Sequence, residues 1–198
     1  MSRVRLFATP ALAAALVTTA VLAQAPPPPV PVDEAPAALR PAIARAQVAA
    51  KALQATLQTR LVEVLPTTGP VAAIDICRRE AYAVAAEVGM QQGISLGRTS
   101  HKLRNPNNAP KPWAASVVAA NVGTKYVDAN AYVVDLGSKV GVLQPIPMGD
   151  TCSLCHGTKS WMPADVAAVL ERSYPNDEAT GFTTGDVRGW IWAEVPKK

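Results

Sequence analysis

Apolar residues recur at helical spacing over two stretches in the first half of the chain. The first stretch runs from about Pro41 to Leu65 and the second from about Val71 to Gln91. The segment PTTGP at residues 66–70 separates them, and its proline and glycine residues break helices. The pattern therefore predicts two helices with a break between them, each with one apolar face. The apolar positions are Ile43, Val48, Leu53, Leu57, Leu61 and Val64 in the first helix, and Ile74, Cys77, Ala81, Val84 and Val88 in the second.

After Gly93 the pattern changes from helical periodicity to short alternating runs. The run ISLGRTSHKL at residues 94–103 favours a strand, and RNPNNAPKP at residues 104–112 is typical of irregular chain. Residues 131–148 indicate two strands joined by a turn at Gly137 and Ser138. The alternating segment VRGWIWAEV at residues 187–195 predicts a last strand.

Two shorter helices are expected among these strands. One covers Trp113 to Asn121, and the other follows Pro163, which suits the first turn of a helix. The whole pattern predicts an α+β fold in which helices come first and a small antiparallel sheet follows.

The N-terminus has the three parts of a secretory signal peptide. Arg3 and Arg5 precede the apolar run ALAAALVTTAVLA, which ends in small residues at Ala23. The run is shorter than the roughly 20 apolar residues that a membrane span needs. We therefore expect cleavage after Ala23, with a retained membrane-anchoring helix as the alternative. Residues 24–36 are rich in proline and are interpreted as an extended tether, and residues 37–198 as one domain.

Cleavage after Ala23 would change both the length and the net charge of the chain. Without residues 1–23 it has 175 residues and a formal net charge of +2. That length suits a single domain. It contains no block of cationic residues, so binding to nucleic acid is not expected. No second apolar run could span a membrane, and we expect a soluble periplasmic protein.

The segment CSLCH at residues 152–156 holds two of the three cysteines and one of the two histidines. Thiols at Cys152 and Cys155 can reach both vinyl groups of one haem, and the adjacent His156 is placed to ligate its iron. Covalent attachment of haem through this motif takes place outside the bacterial cytoplasm, which agrees with the expected export. The motif therefore predicts one covalently bound haem c.

Two other interpretations of the motif remain open. Cys152, Cys155, His156 and Cys77 have the residue types of a zinc site, although two of these ligands are adjacent in sequence. Cys152 and Cys155 could alternatively form a redox-active disulfide.

The second axial ligand of the iron is less clear from the residues. Cys77 lies on the apolar face of the second helix and is followed by Arg78 and Arg79, which would favour a thiolate. A buried, inert cysteine is the alternative. His101 could ligate the iron or lie on the surface. The remaining candidates are the three methionines Met90, Met148 and Met162.

Four segments of the chain resemble the Tll0287-like haem-domain family. They are AIDICRREAYAVAAEVG, GRTSHKLRNPNNAPKPW, CSLCHG and YPNDEATGFTTGDVRGWIWAEV, in this order between about Ala37 and Val195. The resemblance implies a PAS-like fold, with a five-stranded antiparallel sheet and helices packed around one c-type haem. It also implies that the iron is ligated by the motif histidine, His156, and by a helix cysteine, Cys77.

The resemblance also extends to a basic block. Arg98, Lys102, Arg104 and Asn105 match it, and we expect them to hold the haem propionates through charge-assisted hydrogen bonds. A simple turn with solvated basic residues is the alternative. His101 and Ala114 depart from the family pattern, which more typically has an apolar and an acidic residue there.

A haem with a thiolate and a histidine ligand would have a low reduction potential and no open coordination position. The sequence therefore favours one-electron transfer with redox partner proteins over an enzyme. A redox or gas sensor that releases Cys77 on reduction is the main alternative. A peroxidase-like enzyme, with His101 as its base, is a further one. The long first helix could also pair with a second copy of the chain.

Overall fold

The computed structural model describes residues 26–197, and the predicted signal peptide lies outside the described residues. The described part contains a long N-terminal helical segment followed by most of the strands. The helices are α1 Arg40–Gln92, α2 Ala115–Ala120, α3 Ser153–His156 and α4 Ala164–Ser173. The strands are β1 Val30–Pro31, β2 Ser95–Thr99, β3 Tyr132–Asp135, β4 Lys139–Pro147 and β5 Val187–Pro196.

Helix α1 is a hairpin of two antiparallel arms. Gly69 interrupts it with φ 75° and ψ 172°, a conformation that favours glycine. A guanidinium nitrogen of Arg45 lies 3.0 Å from the carbonyl oxygen of Gln92, so the ends of the arms meet. Closer to the bend, Arg60 and Glu80 form an ion pair with a nitrogen–oxygen distance of 2.8 Å. The break predicted at residues 66–70 is confirmed.

The five strands form one antiparallel sheet in the order β1-β3-β4-β5-β2. This confirms the expected α+β fold with a five-stranded antiparallel sheet. The two strands around Gly137 are β3 and β4, and the predicted last strand is β5. The sequence did not locate β1, which lies inside the segment interpreted as a tether. Val30 pairs with Val133 at the edge of the sheet, so this part of residues 24–36 packs onto the domain.

Alternating side chains give the sheet two apolar faces. One face packs against α1 through residues such as Val142, Ile191 and Ala193. On the other face Leu143 and Trp190 pack against α2. A third, smaller cluster joins the second arm of α1 to α4 through Ile74, Met162, Val166 and Leu170.

The predicted apolar face of α1 is wrong at Val48. Val48 is 57% exposed, whereas the alanines Ala46, Ala49 and Ala50 are buried. Small side chains let the first arm lie close to the second arm and to the sheet. The buried face therefore follows residue size as well as hydrophobicity.

The described residues contain no helix with the length and apolar character needed to cross a membrane.

Candidate functional site

A cavity of about 290 Å³ lies between the hairpin of α1, one end of the sheet and the CxxCH segment. Its walls include apolar residues of α1 such as Leu57, Leu61 and Ile74. The following cysteines and histidine also line it: Cys77, Cys152, Cys155 and His156. The fold therefore brings the thiol of α1, 75 residues before the motif, to the same cavity as the motif itself.

His156, the last residue of α3, has a fixed ring orientation. Its Nδ1 lies 2.7 Å from the carbonyl oxygen of Ala179, to which it can only donate. This bond fixes the tautomer and leaves the lone pair on Nε2. The pKa of His156 lies well below its usual value because of burial and the nearby charges of Arg188 and Arg104. The imidazole is therefore neutral at pH 7, as metal ligation requires.

The two motif cysteines lie at the start and on the single turn of α3. Both are partly buried and free of a disulfide. Burial raises the pKa of Cys155, while Arg104 opposes this effect. Between them Leu154 is 37% exposed and also lines the cavity. The motif thus lies where the cavity meets the protein surface.

Arg104 fixes the loop that surrounds the motif. Its guanidinium forms an ion pair of 3.0 Å with Asp177 and donates to the carbonyl oxygen of Cys155. Both side chains of the pair are largely buried, with 14% of Arg104 and 7% of Asp177 exposed. Asp177 in turn accepts a hydrogen bond of 2.8 Å from the backbone N–H of Ala179, the residue that orients His156.

Cys77 lines the cavity, and although the residue is exposed overall, its thiol is partly buried. Its pKa is raised by burial of the sulfur within the cavity, and Arg98 acts in the opposite direction. Arg78 and Arg79 were expected to favour the thiolate, but both form ion pairs with Asp75. The cation that acts most on this thiol therefore comes from β2.

The other four candidates for a second axial ligand do not line the cavity in the described part of the chain. His101 packs edge-to-face on Phe182, with ring centroids 5.5 Å apart. Met90 is 77% exposed, and Met148 and Met162 are buried in the protein interior. Cys77 is thus the one predicted second ligand that shares the cavity with His156.

Most of the predicted basic block is occupied by bonds within the protein. Arg104 is paired with Asp177, and the amine of Lys102 donates to the carbonyl oxygen of Thr180 at 3.1 Å. The side chain of Asn105 accepts from the backbone N–H of Asn107, which starts a short 3₁₀ helix. All three residues line the cavity, and each already makes at least one hydrogen bond within the protein. Arg98 differs, because no hydrogen bond or ion pair of its side chain is found within residues 26–197.

The protein alone does not assemble a metal site in the described residues. No three His, Cys, Asp or Glu side chains there are placed to hold an ion together. The three cysteines are also free. Neither the zinc site nor the disulfide interpretation gains support from this arrangement.

The chain was compared with protein families and with solved structures, and both comparisons agree with the fold described above. The family described as Tll0287-like matches residues 34–196. The chain belongs to the Tll0287-like family. Among solved structures, the crystal structure of the cyanobacterial heme-protein Tll0287 is similar, with a TM-score of 0.55 and 25% sequence identity. The similarity covers 83% of this chain and 98% of that chain. No curated protein matches the chain.

One residue of the cavity was missed by sequence reasoning. Arg188 on β5 lines the cavity, and its Nε is buried with no hydrogen-bond partner. Its Nη1 lies 3.3 Å from Ser100 Oγ, and its Nη2 lies 3.5 Å from Nε2 of His156. Burial, with the charges of Arg104 and Arg98, lowers the pKa of Arg188 to about 9, so it stays charged at pH 7. The available signal was a charged residue within a mostly apolar, alternating segment at residues 187–195.

Proposed function

We propose that this chain holds one haem in the cavity and serves in one-electron transfer. The observation that carries the proposal is that Cys77, Cys152, Cys155 and His156 line one cavity with apolar walls. In this proposal Cys152 and Cys155 attach the haem covalently, and His156 and Cys77 are its axial ligands. The haem supplies the redox chemistry, a one-electron change between ferric and ferrous iron.

The residues present fit such a group. His156 is neutral, and its Nδ1–H donates to Ala179, so the lone pair of Nε2 is available to iron. A backbone carbonyl partner of this kind orients a ligating histidine and increases its basicity. The apolar walls from α1 suit a porphyrin, and the two motif thiols lie at the cavity edge.

The ligand pair accounts for electron transfer rather than catalysis. A thiolate stabilises ferric iron, so we expect a low reduction potential. With His156 and Cys77 both bound, no coordination position remains for a substrate, and we propose that the protein is not an enzyme. His101, the base required for a peroxidase-like alternative, packs against Phe182 outside the cavity wall.

The position of the motif supports exchange of electrons with partner proteins. Thr151, Ser153 and Leu154 are exposed next to the attachment cysteines. An edge of the group attached there would lie near the surface. We propose unidentified redox proteins as partners and the periplasm as the compartment, since covalent attachment through CxxCH occurs outside the cytoplasm.

One observation favours a second candidate function, a haem-based redox or gas sensor. Cys77 lines the cavity at an exposed position, and partial burial of its sulfur raises the pKa of the thiol. Both features favour protonation and release of Cys77 when iron is reduced. Carbon monoxide would then bind the reduced protein at the released position.

Low-temperature electron paramagnetic resonance of the purified ferric protein tests the proposal, beside a Cys77→Ala variant. We expect a low-spin signal of the narrow thiolate type that is lost in the variant. An intact-mass measurement under denaturing conditions should show one covalently bound haem, lost in Cys152→Ala/Cys155→Ala. A low-spin signal that is the same in wild type and Cys77→Ala would show that Cys77 does not ligate the iron. A purified protein without haem would overturn the whole proposal. Binding of carbon monoxide after reduction separates the sensor from the carrier.

A further inference from the structure

The sheet side of the cavity carries two guanidinium groups whose charges have no acidic partner in the described residues. Arg98 on β2 and Arg188 on β5 both line the cavity, and their strands are neighbours in the sheet. Neither takes part in any ion pair found within residues 26–197, whereas Arg104 on the same cavity is paired with Asp177. A buried cation without a counter-charge is costly. The cavity is therefore suited to an anionic ligand.

Arg188 also has an unused donor. Its Nη1 contacts Ser100, and its Nη2 contacts His156, but Nε is buried without a partner. A buried N–H without a hydrogen bond is rare in folded proteins and indicates a missing partner. A guanidinium carries five donors in a planar fork that matches the two oxygens of a carboxylate. The chemistry of the site thus favours a carboxylate.

The two arginines have different neighbours in the cavity. Arg98 lines the cavity together with Cys77 and Tyr82 of α1, and burial lowers the pKa of its guanidinium. Arg188 instead contacts His156, and its guanidinium lies 4.9 Å from the centre of the Phe182 ring. The cavity wall therefore offers one cation beside His156 and a second on the neighbouring strand.

We propose that Arg98 and Arg188 bind the carboxylates of the haem propionates. This inference rests on the proposed haem binding and assigns the anionic edge of that group to the sheet. The vinyl edge meets Cys152 and Cys155. His156 Nε2 has a single lone pair, so an iron held there would replace the contact with Arg188, and Nη2 would then be available to a carboxylate. Lys102, Arg104 and Asn105, matched by the family resemblance, keep their partners within the protein.

Infrared spectroscopy of haem-loaded protein with ¹³C-labelled propionate carboxylates tests the assignment. The label is introduced by growth on labelled δ-aminolevulinate, and redox-difference spectra isolate the carboxylate bands by their isotope shift. We expect Arg98→Gln and Arg188→Gln each to move a label-dependent band. The matched control is Arg172→Gln, which changes an exposed arginine of α4 outside the cavity and should leave the bands in place.

Unmoved bands in both cavity variants, with haem content equal to wild type, would overturn the assignment while leaving haem binding intact. If Arg188→Gln does not load haem, the Arg188→Lys variant is measured instead, because lysine keeps the charge but cannot form two parallel hydrogen bonds to a carboxylate. The carboxylate band of the Arg188→Lys protein must move if the guanidinium of Arg188 binds a propionate. An unmoved band excludes Arg188. Wild-type protein without covalent haem would instead refute the proposed function itself.

Discussion

Arg104 and Asp177 form a buried ion pair in contact with the CxxCH segment, with a nitrogen–oxygen distance of 3.0 Å. The pair joins the basic segment after β2 to the loop before β5. Arg104 also donates a hydrogen bond to the carbonyl oxygen of Cys155, and Asp177 accepts one from the N–H of Ala179. The backbone on both sides of the His156 ring is thus held by one pair of side chains.

Replacing Arg104 by alanine should destabilise the protein strongly. The change leaves the Asp177 carboxylate buried without its partner, and breaking a buried pair in this way costs about 3–5 kcal/mol. Urea denaturation measures the free energy of unfolding. Arg79→Ala is the control, because its pair with Asp75 is exposed and such pairs contribute within about 1 kcal/mol. Equal stability of the two variants would show that the Arg104 pair does not hold the loop.

Gly157, directly after the motif, should not tolerate a methyl group. A Cβ there would lie 2.6 Å from the carbonyl oxygen of Ser153, although φ −70° and ψ −169° are accessible to alanine. The clash is therefore steric, and Gly157→Ala should cost about 1–3 kcal/mol of unfolding free energy. The covalent haem yield should fall with it.

Gly149 offers a matched control for that change on the other side of the motif. A Cβ at Gly149 would meet nothing closer than Cys152 Sγ at 3.8 Å, an ordinary contact. Thermal denaturation should therefore place Gly149→Ala near wild type and Gly157→Ala below it. If Gly149→Ala were instead the less stable variant, the contact with Ser153 would not be what excludes a side chain at residue 157.

The elements of this fold were predictable where a local pattern dictates them. The break at Gly69 follows from this glycine and from Pro66 and Pro70 beside it, and β5 follows from its alternating side chains. Strand β1 was not predictable, because two residues in a proline-rich segment carry no alternation. These two residues form a strand because they pair with β3, which lies about 100 residues later in the chain.

The same distinction holds for the site. Cys152, Cys155 and His156 are contiguous, so their spacing indicates their chemistry directly. Cys77 could only be ranked among several candidates from the residues, because its approach to the motif depends on how the arms of α1 pack. Arg188 was missed for a similar reason, since only the fold shows that its guanidinium is buried beside His156 without an acid.

Acid should weaken the loop that leads into β5 through Asp186. Burial alone would raise the pKa of Asp186, but hydrogen bonds from Lys125 and from the N–H and hydroxyl of Thr183 outweigh it. The folded-state pKa is therefore below the unfolded value of about 3.9. Its stabilising contribution is present above that value and is lost as pH falls through the lower, folded pKa.

Asp186→Asn should therefore lower the free energy of unfolding at pH 7 by about 1–3 kcal/mol, the size expected for hydrogen bonds to a charged group. The difference between wild type and variant should stay constant from pH 6 to about pH 5, and should shrink as the pH falls below about 4. Denaturation curves measured across this range test the sign. A difference that stays constant with pH would show that the charge of Asp186 does not contribute.

Cys77→Met tests how the proposed second ligand controls the redox chemistry. Methionine can still ligate iron but donates less electron density than a thiolate, so ferrous iron should be relatively favoured. We expect the midpoint potential to rise by on the order of 100 mV, a modest part of the roughly 0.8 V range available to haem ligands. Spectroelectrochemical titration measures the shift. The control is Met90→Leu, an exposed position outside the cavity wall, which should leave the potential unchanged. An unchanged potential in Cys77→Met would mean that residue 77 does not ligate iron in either protein, and the low potential would need another cause.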